Sequence, residues 1–321
     1  MRVLAVYNTC QISCQSNTPF YLKAIAHLAL QPNVQICISG CMMNDDAKRT
    51  LHDNFPFCSF VWVDEVLPLN VTVNNAVLRM RERHGDFTHY LYLDSGMDVG
   101  PGDCLGQFFS CFSCATTIDY QGNVAPRGDV ACAASVVDDD SGYEWLGILP
   151  PGWPPDPHWV ASSLMASGHC VRLPPGKTVN MHAQVYTHEF LERYGRLLPD
   201  IFASDCSEQV TPYLCAAIGK QFVLAPPLIH HEGHMDGGSS GFQRGSGHDC
   251  KLFRCPKTLE QLCAEGKQVG WGFEEWCNVL RHDPAKFDAN GYARDDELFR
   301  WLKANVFLQD FDYGAIKHEV I

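Results

Sequence analysis

The chain has 321 residues, 46% apolar and 19% charged, with a formal net charge of -13. That is ample apolar material for one large core or two smaller ones. So acidic a chain lacks the basic face that a nucleic-acid binder needs against phosphates. A small nucleotide remains open to it, because a divalent ion and a few backbone N–H groups can hold its phosphates. No run reaches the roughly 18 apolar residues of a membrane helix. The N-terminal MRVLAVYNTC loses its apolar character at Tyr7-Asn8-Thr9 and does not read as a signal peptide. The expectation is a cytoplasmic chain with no transmembrane segment. Its 16 cysteines then read as reduced thiols acting as small hydrophobes, and the lone C-x-x-C at Cys111 and Cys114 has no second pair at zinc spacing.

In chain order, VLAVYNT (3–9) is an apolar run of β-formers ending in polar residues, a first buried strand. Thr18 and Pro19 offer an N-cap and a first helical position, and 20–30 follows with helical apolar spacing. VQICISG (34–40) is a second strand, 45–55 a short helix, SFVWVDE (59–65) a third strand, 70–85 a helix stopped by Gly85, and HYLYLD (89–94) a fourth strand. Strands alternating with helices imply crossover units and a mixed, mostly parallel α/β sheet flanked by helices. In such sheets ligands bind beyond the carboxyl ends of the strands. Tyr7-Asn8-Thr9, Ser39-Gly40 and Asp94-Ser95-Gly96 all fall there.

Beyond residue 100 the pattern predicts a strand at 129–139 and an ordered Pro-rich loop at 149–159, whose Trp153 and Trp159 are either core aromatics or a sugar-stacking platform. Helices follow at 182–195 and at 207–220, the second kinked or broken at Pro212, then a strand at 221–227. A Gly/His/Ser loop spans 230–249, and the chain is helical again from about 256. This divides it into a domain over 1–249, with a nucleotide part at about 1–100 and an acceptor part at about 101–249, and a helical extension over 250–321.

Four groups of residues carry candidate chemistry. Asp94 and Asp98 flank Ser95-Gly96-Met97. Fully extended they stand about 13 Å apart, but a turn over Ser95-Gly96, which Gly96 makes easy, brings them within chelating reach. Two carboxylates suit Mg2+ or Mn2+; the alternative is a solvated turn. His230, His231 and His234 follow a strand at a spacing that is not that of a zincin helix. One of them can join the metal or, protonated, bind phosphate. The adjacent Ser239 and Ser240 can donate to phosphate oxygens, and Arg244 adds charge; the alternative is a bland Gly-rich surface loop. Asp205 and Glu208 stand at a helix start, where a carboxylate can act as general base or, with Ser207, merely cap the helix. Asn70, Asn74 and Asn75 lie in a helix that Asn disfavours, facing either the nucleotide edge or solvent.

Taken together, the first strand ending in Tyr7-Asn8-Thr9, the helix with Asn74, the strand running into Asp94-Ser95-Gly96-Met97-Asp98, the acid in Ser204-Asp205-Cys206-Ser207-Glu208, the strand at 221–227 and the His-rich loop resemble a glycosyltransferase of the GT-A fold, nearest to glycosyltransferase family 2. The resemblance covers roughly residues 1–245. It implies a nucleoside-diphosphate sugar donor over the first strands, with Tyr7, Asn8 and Thr9 by the nucleoside. It implies Asp94 at the first position of an Asp-x-Asp motif holding Mn2+ or Mg2+, with His231 or His234 as a later ligand. Asp205 best matches the base, with Glu208 close behind. Three positions depart from the pattern: Gly96 stands where the second Asp is expected, so Asp98 has to replace it or the metal is held weakly; Gly40 stands where an acid follows the second strand; and the acid pair before the helix reads Ser204-Asp205 instead of Glu-Asp. The implied reaction is transfer of the sugar, with inversion, to the hydroxyl of a glycan, lipid-linked or protein acceptor. The competing expectations are a metal-dependent hydrolase or phosphatase built on the His loop, and a nucleotide-sugar-binding protein without turnover.

Overall fold

The computed structural model describes residues 1–10, 18–64, 67, 69–94, 96–113, 116–118, 124–126, 129–138, 169–172, 183–200, 207–231, 296–307, 309 and 311–321. Five strands open the chain: β1 (Val3–Cys10), β2 (Val34–Cys41), β3 (Ser59–Val63), β4 (His89–Leu93) and the two-residue β5 (Met97–Asp98). Between the first four lie helices α1 (Thr18–Ala29), α2 (Asp45–Asn54) and α3 (Leu69–His84). There follow α4 (Cys104–Cys111), β6 (Thr116–Ile118), β7 (Val124–Pro126), β8 (Val130–Asp138), β9 (His169–Arg172), β10 (Ala183–Thr187), α5 (His188–Tyr194), α6 (Ser207–Ala217), β11 (Gln221–His231), α7 (Asp296–Val306) and β12 (His318–Val320).

All the strands belong to one mixed sheet in the order β12-β3-β2-β1-β4-β10-β8-β11-β9-β6-β7, with β5 paired to β11 off that path. The half β3-β2-β1-β4 is parallel throughout. Antiparallel β10 joins it to the parallel β8–β11 pair. The chain is therefore an α/β protein with a helix-flanked sheet.

Side-chain alternation explains why these strands read as unbroken apolar runs. Leu4 and Val6 of β1 enter one core with Tyr90 and Tyr92 of β4, Val61 and Val63 of β3, and the apolar face of α3. Val3, Ala5 and Tyr7 enter the other with Leu91, Leu93, Phe60, Trp62 and the buried face of α1. Both faces of the sheet are covered, so a strand must be apolar at every position. Among the described residues Cys37, Cys41, Cys58, Cys104, Cys111, Cys132 and Cys215 are free and buried, as the sequence implies, and burial raises the Cys58 thiol to about 12. Cys170 departs from that reading, being disulfide-bonded.

Several boundaries differ from those expected. The segment 182–195 is a strand followed by a helix. Ala183 and Val185 point into one core and Tyr186 into the other, a period of two that a helix cannot satisfy. Thr187 then caps α5, its hydroxyl accepting from Phe190 N, and Gly195 ends it at φ 76°. Pro212 lies within a single helix α6. β11 runs on through Pro226 and Pro227 to His231, with a register shift between Ala225 and Leu228 where the missing N–H groups fall. The C-terminus ends as a strand: β12 pairs antiparallel with β3 and covers an otherwise open sheet edge. The predicted helices at 258–266 and 273–282 and the loop with Trp153 and Trp159 lie outside the described residues.

His89 opens β4 with its ring edge-on to Phe109 and Phe112 of the α4 region, both centroids 5.0 Å away. Burial, with a smaller contribution from the positive N-terminus, lowers its imidazole to about 4. The unfolded chain takes up this proton near 6.5, and the folded chain only near 4, so the unfolded state binds more protons between those values. Stability present above pH 6.5 is therefore lost as pH falls through that window. Urea melts at pH 7 and pH 4.5 check this. His89→Asn should lose less stability over the interval than the wild type, and an equal loss would contradict the assignment.

Candidate functional site at the carboxyl edge of the sheet

Because β1 to β4 are parallel, their carboxyl ends share one edge. Asn8 pairs with Ser39 and Thr9 with Gly40, and Tyr7 lies opposite Leu93, so Asp94 emerges one residue above Tyr7. Gly40 closes β2 for a packing reason: a Cβ there would stand 2.9 Å from Met43 Cγ and 3.1 Å from the Trp62 ring. The acid that the resemblance places after this strand has no room at that position.

Tyr7 packs edge-on against Tyr21 of α1, with centroids 6.1 Å apart. Beside it a cleft opens between the first turns of α1 and α2, lined by Thr18, Tyr21, Leu22, Ala47, Thr50 and Leu51. Asn8 is 6% exposed, and its side-chain oxygen is buried with no hydrogen-bond partner among the described residues. Such an acceptor costs about 1–3 kcal/mol until a donor reaches it.

The Asp94 motif makes the turn that its glycine permits. Met97 N donates to Asp94 O at 3.3 Å, and Gly96 has φ 87°, a turn that needs positive φ at its third residue. The turn delivers Met97 and Asp98 into β5, which pairs antiparallel with the end of β11: Asp98 opposite His230, Met97 opposite His231. The aspartate motif and the first two histidines, 132 residues apart between Asp98 and His230, thus become neighbouring strands.

Asp98 has protein partners of its own. Asp98 is 3% exposed. Its Oδ1 lies 2.7 Å from His27 Nδ1 and accepts from Gly100 N at 2.8 Å. Its Oδ2 pairs with Lys23 Nζ at 3.3 Å. Burial alone would raise this carboxyl, but the Gly100 N–H, the His27 ring and the Lys23 ammonium outweigh it and hold it below its ordinary value. His230 joins the same group, its ring 6.4 Å from that of Phe20. Lys23 and His27 are four residues apart on α1, a spacing that places two bases on one helix face; that signal was legible in FYLKAIAH.

Asn74 is corrected: it does not face the nucleotide edge. It is 1% exposed in the interior of α3. Its Oδ1 accepts from Leu197 N and Leu198 N, each at 3.0 Å, and its Nδ2 donates to Leu198 O at 2.7 Å. Asn70 donates to Pro199 O at 2.7 Å. The two amides bind the turn that leads into the segment carrying Asp205. Asp200 at the end of that turn accepts from Arg196 Nε at 2.9 Å and from the Tyr313 hydroxyl at 2.8 Å, which locks the C-terminal segment onto the same point. Poor helix formers sit in this helix because they cap someone else's backbone.

Asp94 stands half-buried at the edge. Glu208 lies in the first turn of α6 and His231 at the end of β11. Ser95, Asp205, His234, Ser239, Ser240 and Arg244 lie outside the described residues. Among the described residues no three His, Cys, Asp or Glu side chains converge as a metal site, and no helix is long and apolar enough to cross a membrane.

No family model matches the sequence, and no curated protein does. Solved structures resemble the fold at low identity. A mannosyltransferase, PcManGT from Pyrobaculum calidifontis in complex with GDP-Man and Mn2+, is 14% identical over 74% of this chain and 58% of its own, with a TM-score of 0.47. S. aureus TarS 1–349 is 8% identical over 72% and 60%, with a TM-score of 0.46. Its complex with UDP-GlcNAc is 10% identical over 74% and 61%, with a TM-score of 0.44. The chain spans about three-fifths of the length of these structures.

Asn74→Ala leaves two buried N–H groups and a carbonyl unpaired and should destabilise the protein by roughly 2–4 kcal/mol. The folded variant should keep any nucleotide affinity of the wild type at 25 °C. A loss of affinity with an unchanged melting temperature would return Asn74 to the nucleotide site.

Proposed function

We propose that the chain is a glycosyltransferase of GT-A type that moves a sugar from a nucleoside-diphosphate donor to an acceptor hydroxyl, with inversion and with Mn2+ or Mg2+. The observation that carries this reading is the β5–β11 pairing, which sets the Asp94 turn beside His230 and His231 on the polar edge of a parallel sheet. That edge is where a doubly covered α/β sheet binds ligands. The order of motifs along the chain supplies the reaction class.

In this reading the nucleoside lies over the ends of β1 and β2, against Tyr7, Asn8 and Thr9. A nucleobase N–H is the kind of donor that the buried Asn8 oxygen lacks. Of the two motif carboxylates, Asp94 is the one that stays at the edge, and with His231 or His234 it forms the mixed oxygen and imidazole set that suits Mn2+ or Mg2+. A divalent ion held there would offset charge on the leaving diphosphate. Ser239, Ser240 and Arg244 donate to phosphate oxygens. Asp205, or Glu208 at the head of α6, takes the proton of the acceptor hydroxyl. The acceptor oxygen then bonds to the anomeric carbon as the bond from that carbon to the diphosphate oxygen breaks. The acceptor is a glycan, lipid-linked or protein hydroxyl.

Thermal shift against a panel of UDP- and GDP-sugars, with and without Mn2+, tests the reading. At a hundredfold excess over Kd a donor should stabilise the fold by about 2.7 kcal/mol, and Asp94→Asn should abolish the metal-dependent part. Absence of any nucleotide-dependent shift would overturn it. Asp205→Asn should lose donor hydrolysis by a factor of about 100 or more while retaining metal-dependent binding; if only Glu208→Gln behaves so, the base is Glu208.

A further inference from the structure

The segment that leaves the Asp94 turn is tied to α1 and to the turn that follows it at three successive levels. Lys23 and His27 hold the two oxygens of Asp98. Gln31, four residues further on, donates through Nε2 to Gly102 O at 2.7 Å, and its Oε1 accepts from Leu105 N at 3.2 Å. Lys23 and His27, four residues apart, lie on one face of α1, and Gln31 follows two residues past the helix end. Gly100 N, on the same segment, donates to Asp98. Phe20, one turn before Lys23, carries the contact on to the His230 ring, and the Lys23 ammonium lies 5.6 Å from the centre of the Phe20 ring.

We propose that Asp98 is a positioning residue and not a metal ligand: held by Lys23 and His27, with Gln31 holding the chain beyond it, it latches β5 to α1 and so fixes both the Asp94 turn and the end of β11 against which β5 pairs. Three features carry this. Both Asp98 oxygens already have partners. The residue is almost wholly buried, where an unpaired charge is costly and a paired one is held in place. β5 is only two residues long, too short to keep its register by its own ladder, so its register against His230 and His231 needs an outside anchor. The functional consequence rests on the reading of this edge as a donor site: a site that needs Asp94 and the β11 end in fixed relation loses rate when the latch opens.

The test uses the full chain and its Asp98→Asn, Asp98→Ala, His27→Ala and His27→Ala/Asp98→Ala variants. The first readout needs no ligand: amide hydrogen exchange at Met97, Asp98, His230 and His231. The latch predicts faster exchange there in both alanine variants, and a double variant no worse than Asp98→Ala alone, which already lacks the His27 contact. Asp98→Asn, whose remaining oxygen still accepts from Gly100 N and from the His27 ring and which loses only the Lys23 ion pair, should recover much of the protection. Unchanged exchange in His27→Ala and Asp98→Ala would overturn the latch.

The second readout is donor hydrolysis against Mn2+ concentration. The latch predicts that His27→Ala and Asp98→Ala lower kcat alike, by roughly ten- to a hundredfold, with the half-saturating Mn2+ concentration unchanged. A metal ligand predicts that Asp98→Asn raises that concentration at least about tenfold while His27→Ala leaves it alone, and this result would also overturn the proposal. If the wild type turns over no donor, the exchange data still decide the latch, and the failure belongs to the donor-site reading. If Asp98→Ala does not fold, His27→Ala and Asp98→Asn carry both comparisons.

Discussion

A carboxylate removed from water must find partners or give up its charge. Asp98, buried between a two-residue strand and a helix, is the place where that constraint shapes this molecule. Its oxygens can be satisfied only if α1 presents Lys23 and His27 to it and Gly100 turns its N–H back. Satisfying them sets where the chain goes after the Asp94 turn, and hence which strand it meets. It meets the end of β11, and two sequence motifs far apart in the chain become neighbours. In the proposed latch the second acid of the motif organises the edge.

A second anchor works from the opposite face. The asparagines of α3 and the Arg196–Asp200–Tyr313 cluster bind the turn at 197–200 from three elements, one of them the C-terminal segment. Burial raises the Tyr313 hydroxyl far above its ordinary range, with Asp200 adding to it, so it stays a donor to Asp200 at any working pH. The stem of the Asp205 segment is therefore as firmly held as the Asp94 turn, and the sheet between them has a packed core on each face. The proposed transfer needs such rigidity, because an error of an ångström in placement is costly in rate.

The parallel half of the sheet was legible because each strand there is buried on both faces and bounded by turn residues. Its helices were legible because α1 carries apolar residues at helical spacing and α3 stops at Gly85 with φ 76°. β10 was hidden because Ala183–Thr187 runs directly into α5 without a turn, and only pairing with β4 fixes its period. β5, β6 and β12 are two or three residues long, below the length at which alternation can be read. At the site, the carboxyl-edge placement of Tyr7, Asn8, Thr9 and Asp94 followed from strand polarity. The roles of Asp98 and Asn74 did not, because both depend on partners 71 and 124 residues away, and a one-dimensional pattern cannot pair them. Gly96 was correctly read as the turn residue, but the direction the turn takes is set by Lys23 and His27.

The relation between the two motif acids is the point on which function turns. If one stays at the edge and the other is committed to α1, the chain meets a donor with a single motif carboxylate and the end of β11. The most direct test is a crystal structure of the chain with UDP or GDP and Mn2+. The predicted result has the nucleoside over the ends of β1 and β2 with a base N–H on the Asn8 oxygen. The diphosphate lies at Asp94 beside the end of β11, and Asp98 remains on His27 and Lys23. A nucleotide bound elsewhere, or an Asp98 that has left α1 to ligate the ion, would contradict it.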